Sequence, residues 1–182
     1  MARKASRRGE ILAAAARIVQ ECGAAHLTID AVAERAGVSK GGVLYHFPSK
    51  QALLEGMLGR LLEQLQAREA AFREAHSGEP DALLASFIVA EHDQPPAERA
   101  MSRAILAAAA ENPELLAPAR QLVKQTFADV GRASNPSELG WIALLATQGL
   151  RFLEMLSLLP LTRTERERVH QRLLELAREI SA

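Results

Sequence analysis

Apolar residues recur at helical spacing along most of this chain, and the breaks between runs fall at Gly, Pro, Ser, Thr and Asn. Ile11, Ala15, Ile18 and Cys22 share one face of a first helix, capped by Ser6 and running to about Glu21, with Cys22 expected in the core. Thr28 can cap a second helix, in which Ile29, Val32, Ala33 and Ala36 follow at i, i+3, i+4 and i+7. Gly37 then stands where a left-handed residue ends a helix cheaply. Ser39 can cap a third helix carrying Lys40 to His46, with Val43 and Phe47 packing it inward. Two short helices about a tight turn predict a helix-turn-helix, whose second helix enters the DNA major groove.

The remaining pattern predicts six more helices. Ser49 caps one from Lys50 to roughly Ala75, with Leu54, Met57 or Leu58, Leu61, Leu65 and Phe72 as its apolar line. A turn at Ser77–Pro80 precedes a helix over about 80–92. Pro95 and Pro96 open the next, with Met101, Ile105 and the run Ala107 to Ala110. Asn112-Pro113 reads as N-cap plus first-turn proline of a helix to about Gly131. Asn135-Pro136-Ser137-Glu138 repeats the device, with a capping box between Asn135 and Glu138 and a helix to Leu159. Thr162 or Thr164 caps the last helix, striped by Val169, Leu173, Leu176 and Ile180. No strand pattern emerges. The expected fold is all-α: a three-helix helix-turn-helix domain over residues 1–49 and a helical regulatory and dimerisation domain over 50–182, about nine helices in total.

The string from Leu27 to Lys50 resembles the DNA-binding domain of TetR/AcrR-family transcriptional repressors. The shared pattern is met by Thr28, Ile29, Val32, Ala33, Ala36, Gly37, Val38, Ser39, Gly41, Val43, Tyr45, His46, Phe47, Ser49 and Lys50. One departure is Leu44, where many relatives carry a tyrosine. The resemblance implies a repressor that binds double-stranded operator DNA as a homodimer and is released by a small molecule enclosed in the larger helical domain. It places Tyr45, His46 and Lys50 on the DNA backbone. Thr28 and Ser39 cap helices whose N-termini can point at phosphate. Lys40, Gly41, Gly42 and Leu44 are expected at base edges, with Arg35 and DNA shape adding specificity. Two glycines inside a helix cost roughly 1–2 kcal/mol relative to alanines, so close approach to DNA is the expected reason for them.

Charge adds one element. Residues 1–50 hold eight Lys or Arg and four acids, net +4, against −4 for the remainder of a chain with net charge 0. A basic module beside an acidic one fits phosphate contact at the first alone. Arg3 and Lys4 form a basic arm or a solvated tail, and Arg7 and Arg8 oppose the first helix's dipole unless phosphate lies near. The single cysteine permits no internal disulfide, and neither a secretory leader nor a membrane span is visible, so a cytoplasmic protein is expected. The 135–159 helix is apolar nearly all round. Its own chain can cover one side only, so it and the last helix are expected to pair with a second copy in a four-helix bundle; the alternative is the centre of a monomer's core.

Candidate effector contacts are Met57, Leu61, Phe87, Met101, Ile105, Phe127 and Trp141, with His92, Asn112, Thr147 and Gln148 to orient a hydrophobic ligand. No Gly-x-Ser-x-Gly, phosphate-binding glycine loop, cysteine pair or His-x-x-x-His is present, so no enzyme, cofactor or metal is expected. Glu91-His92-Asp93, the one compact titratable cluster, reads as a solvated helix end. A helical protein–protein adaptor and a ligandless DNA-binding regulator are the alternatives.

Overall fold

The computed structural model describes residues 6–181; Arg3 and Lys4 lie outside them. The described residues form nine α-helices and two 3-10 turns, with no strand. The helices are α1 (Arg7–Cys22), α2 (Ile29–Ala36), α3 (Lys40–His46), α4 (Lys50–Ala75), α5 (Ala82–His92), α6 (Pro96–Glu111), α7 (Ala117–Ala133), α8 (Ser137–Met155) and α9 (Arg163–Ser181). They belong to two compact units: one holds the chain up to Leu62 together with Pro95–Pro118, the other Glu63–Gln94 together with Ala119–Ala182.

In the first unit α1 packs on α2 and α6, and α2 on α3. Ser6 caps α1 as expected, accepting from the Gly9 amide at 3.2 Å. Ile11, Leu12, Val32, Val43, Phe47, Leu53, Met57 and Ile105 are buried at its centre. Arg60 fastens α4 to α1 by donating to the Gly9 carbonyl at 3.1 Å. Ser49 caps α4 through the Ala52 amide at 3.0 Å. Cys22 is exposed rather than buried. It is the last residue of its helix, where the chain turns away through Gly23 and the 3-10 turn Ala24–His26, so the inward face stops one turn earlier at Ile18 and Val19.

The second unit is built on Leu84, Phe87 and Ile88 of α5, Val130 of α7, Ala143 and Leu144 of α8, and Leu173, Ala177 and Ile180 of α9. Several helix ends differ from expectation. Pro113 opens a 3-10 turn, Pro113–Leu116, before α7, and Asn112 makes no side-chain cap. Pro136, not Asn135, precedes α8, and the box between Asn135 and Glu138 does not form; the Asn135 amide instead donates to the Ile180 carbonyl at 2.9 Å, tying the loop to α9. The box that does form is at α9, where Glu165 accepts from the Thr162 amide and hydroxyl at 2.8 and 2.7 Å and returns its own amide. Those bonds hold the Glu165 carboxyl below its usual range. Helix α8 stops at Met155, four residues short of Leu159. Ser157 turns left-handed at φ 59 while the Leu158 amide closes back on the Leu153 carbonyl at 2.8 Å, a helix-ending loop built without glycine.

Helix α8 leaves more large apolar side chains exposed than α7 or α9 does. Gly140, Ala143, Leu144, Thr147 and Met155 are buried. Trp141, Ile142, Leu145, Phe152, Leu153 and Leu156 are exposed, Leu145 to 59% and Phe152 to 49%. These six recur along one side of the helix and its end, so the apolar character read all round in sequence separates into a covered and an uncovered face.

Candidate DNA interface

Two hydroxyls set the helix starts. Thr28 Oγ1 accepts from the Ala31 amide at 3.1 Å, and Ser39 Oγ from the Gly42 amide at 3.0 Å. Between them Gly37 is left-handed (φ 65, ψ 38), and the Gly37 and Val38 amides return to the carbonyls of Glu34 and Ala33. A β-carbon in that conformation is strained, which is why glycine makes the turn. Val32, Val43 and Phe47 anchor both helices inward. Phe47 is seated by two residues that sequence reasoning missed in this role. Arg8 places its guanidinium 5.1 Å from the centre of the ring. Gly56 of α4 leaves the ring room, since a β-carbon there would lie 2.6 Å from Phe47 Cε1. The only hint in the sequence is a glycine inside a helical pattern, and α4 carries two, Gly56 and Gly59, with nothing local to tell them apart.

The other side of α3 carries little that the protein uses. Tyr45 is 85% exposed, its ring edge-on to His46 at 5.1 Å. Lys40 and Gly41 are exposed; Gly42, Leu44 and His46 are half-buried. A methyl at Gly41 would meet only Ser39 Oγ, at 3.9 Å, and one at Gly42 would touch Ser39 and Val38 at 3.3 Å or more. Packing within the chain therefore does not require glycine at 41.

The cations of the motif are engaged locally. Arg35 donates to Glu21 of α1 at 2.6 Å, which raises the pKa of the guanidinium, and Lys40 pairs with Asp30 at 3.1 Å. Arg7 pairs with Glu10 at 3.1 Å. All are solvent-exposed pairs of small intrinsic worth, so a phosphate can replace the carboxylate at little cost. Lys50 is exposed and without an ionic partner among the described residues. Thr28, Ser39, Lys40, Gly41, Leu44, Tyr45, His46 and Lys50 thus belong to one small module, and Arg35 stands against α1.

The candidate effector residues divide between the units. Met57, Leu61, Met101 and Ile105 are buried in the first, where Asn112 is half-buried. In the second, Phe87 is in the core, and Trp141 donates Nε1–H to the Phe127 carbonyl at 3.0 Å. Glu91-His92-Asp93 is a solvated helix end only at Asp93, the exposed residue that closes α5. Glu91 is buried, accepting from Gln148 at 3.0 Å and pairing with Arg151 at 3.1 Å. His92 stacks on His170 at 3.8 Å and faces Glu167 at 3.4 Å. Burial, and then the neighbouring His92, lowers the His170 pKa. The packing of α5 on α8 and α9 draws this cluster in, a long-range arrangement no local pattern shows. Around it lies a cavity of only about 30 Å³, room for one water. Among the described residues no group of His, Cys, Asp and Glu is placed to hold a metal ion, and no helix is long and apolar enough to cross a membrane.

Comparison with known proteins decides the family. A model of bacterial regulatory proteins of the tetR family matches residues 11–57, and one of the tetracyclin repressor-like C-terminal domain matches residues 81–178. This chain belongs to the TetR family. Its helix-turn-helix thus lies in the family's N-terminal domain, and α5–α8 with all but the last three residues of α9 fall within the family's C-terminal one. The HTH-type transcriptional regulator BetI of Burkholderia thailandensis is 36% identical over 87 residues, 48% of this chain and 45% of that protein. The match thus spans less than half the length of this curated relative. A solved transcriptional regulator from a Rhodococcus species superposes with a TM-score of 0.68 at 22% identity, over 96% of each chain. The multidrug binding protein EbrR in complex with ethidium gives 0.68 at 23% identity, over 94% of this chain and 99% of that one. At these identities the structures share the TetR fold.

Proposed function

We propose that this TetR-family chain is a sequence-specific DNA-binding transcriptional regulator: a cytoplasmic, non-catalytic repressor that grips a pseudo-palindromic operator as a homodimer and lets go when a small hydrophobic effector binds. Residues 1–49 carry DNA recognition; residues 50–182 carry regulation and dimerisation. The observation that carries the reading is the outer side of α3, where an 85% exposed Tyr45 and an open Gly41 have no use within the protein. A duplex groove gives both a use. The tyrosine hydroxyl reaches phosphate, and the glycine lets the helix backbone approach base edges.

Thr28, Ser39, His46 and Lys50 position the module on phosphate in this reading, while Lys40, Gly41, Gly42, Leu44 and Arg35 bear on sequence. The uncovered apolar face of α8 supports the dimer, since two copies laid face to face would hide Leu145, Phe152 and their neighbours from water. EbrR, solved with ethidium, supports an effector of apolar or aromatic character. The test is a titration of duplexes selected from a random pool, repeated at several salt concentrations. Affinity is expected to fall steeply with salt through counterion release. A flat response, or no selected duplex, removes the assignment and favours the adaptor.

A further inference from the structure

The first unit contains a groove of about 380 Å³ between the C-terminal half of α6 and the segments flanking the helix-turn-helix. That volume lies in the range of small-molecule sites. Its walls are short apolar side chains: Ala25, Leu27, Leu54, Ala104, Ala107 and Ala108. Exposed helix positions ordinarily carry long polar chains, which would fill such a space, but here Ala107 is exposed and keeps it open.

Four polar side chains complete the lining: Gln51, which is spent on Glu55 of its own helix at 3.0 Å, and three others, Lys50 at the start of α4, Glu111 at the end of α6, and Asn112 just beyond it. Lys50, Glu111 and Asn112 make no side-chain hydrogen bond or ion pair among the described residues. Asn112 stands where it could cap the turn that follows, and does not. The groove therefore offers one ammonium, one carboxylate and one amide, all unspent, around an apolar floor.

We infer that this groove binds a small zwitterion of the ω-amino acid class, its carboxylate on Lys50, its ammonium on Glu111 and its methylenes on the alanine and leucine walls. An anion alone would leave Glu111 unpaired beside it, and a cation alone would leave Lys50 so; only an occupant with both charges answers both ends. Asn112 adds a hydrogen bond to either end group. Resting on the DNA-binding reading, a consequence follows for Lys50. Once its ammonium is held by the ligand carboxylate, one phosphate contact is withdrawn, and by linkage DNA and zwitterion weaken each other.

The full chain, without DNA, is titrated calorimetrically with ε-aminohexanoate, hexanoate and hexylamine. Saturable binding of ε-aminohexanoate is expected, with each single-charge analogue weaker by about tenfold or more, the worth of one charged hydrogen bond. Ala107→Phe, at an exposed position, fills the groove and abolishes binding, and Glu111→Gln, nearly isosteric, weakens the zwitterion while sparing hexanoate. No saturable binding, hexanoate binding as tightly as the zwitterion, or unchanged affinity in Ala107→Phe overturns the site. A second titration follows a non-specific duplex at low salt. Saturating ε-aminohexanoate is expected to weaken it about severalfold in the wild type and not in Ala107→Phe. A duplex that binds but ignores the zwitterion overturns the coupling through Lys50. A chain that takes the zwitterion and no duplex leaves the groove standing and removes the DNA reading instead.

Discussion

Helices α3 and α8 each leave one face uncovered, and the two faces differ in kind. That of α3 is short, carries Lys40, Gly41 and Tyr45, and belongs to a helix whose start and preceding turn are closed by Ser39 and Gly37. That of α8 is long and carries Trp141, Ile142, Leu145, Phe152 and Leu153, on a helix with no side-chain cap at its start. A face of polar, glycine and tyrosine positions is stable in water and is complete without a partner. A face of large apolar side chains costs free energy for as long as it stays wet. In the proposed reading the chemistry of each surface matches its occupant: nucleic acid on α3, a second copy of the chain on α8.

The strongest way to break this comparison is to charge the α8 face. Leu145→Arg with Phe152→Arg is expected to weaken self-association by about 4 kcal/mol or more, turning a dimer into a monomer at micromolar concentration in sedimentation. Tyr45→Ala should leave association untouched. Should the doubly charged chain stay dimeric, the interface lies elsewhere.

Acid–base behaviour sharpens the picture for the unit that contains α8. Glu69 of α4 is buried, with Arg73 at 3.9 Å, and its pKa is pushed up to about 7 by burial, partly offset by that arginine and reinforced by Glu91. The folded chain holds this proton more tightly than the unfolded one, whose carboxyl titrates near 4.5. The favourable contribution is therefore complete below that value and is lost as pH rises through about 7. Glu69→Gln is expected to stabilise the protein by about 2–3 kcal/mol near pH 8 and not near pH 4, as read in thermal unfolding at both.

Two helix glycines then separate packing from recognition. Gly56→Ala places a methyl against the buried Phe47 ring and should destabilise the first unit by about 2 kcal/mol in denaturant unfolding. Gly41→Ala meets only Ser39 Oγ, at an ordinary 3.9 Å, and removes a flexible residue from α3, so it should stabilise by about 1 kcal/mol while weakening duplex binding. A Gly41→Ala chain that bound duplex as well as wild type would refute the close approach assigned to α3.

What could be read in advance follows the range of the forces involved. Thr28, Gly37, Ser39 and Ser49 act on the backbone within three or four residues, and the structure puts each in the role its neighbours imply. Asn112 and Asn135 carry an equally good local signal and do not cap; for Asn135 a distant carbonyl, that of Ile180, takes up the amide. The candidate site was legible to the same extent. Tyr45 and the glycines of α3 stand out in the motif, but that Arg35 leans on Glu21, and that Gly56 makes room for Phe47, depends on which helices meet.

Nine helices, most of their limits and the helix-turn-helix can be read without the structure, because hydrophobic period and capping are written in neighbouring residues. That Cys22 faces water, that Glu91 is buried and His92 half-buried against α8 and α9, and that α8 keeps one apolar side uncovered depend on the packing of the helices. Those outcomes turn on which side of a helix another helix occupies, and that is set by the summed packing of residues far apart in the chain.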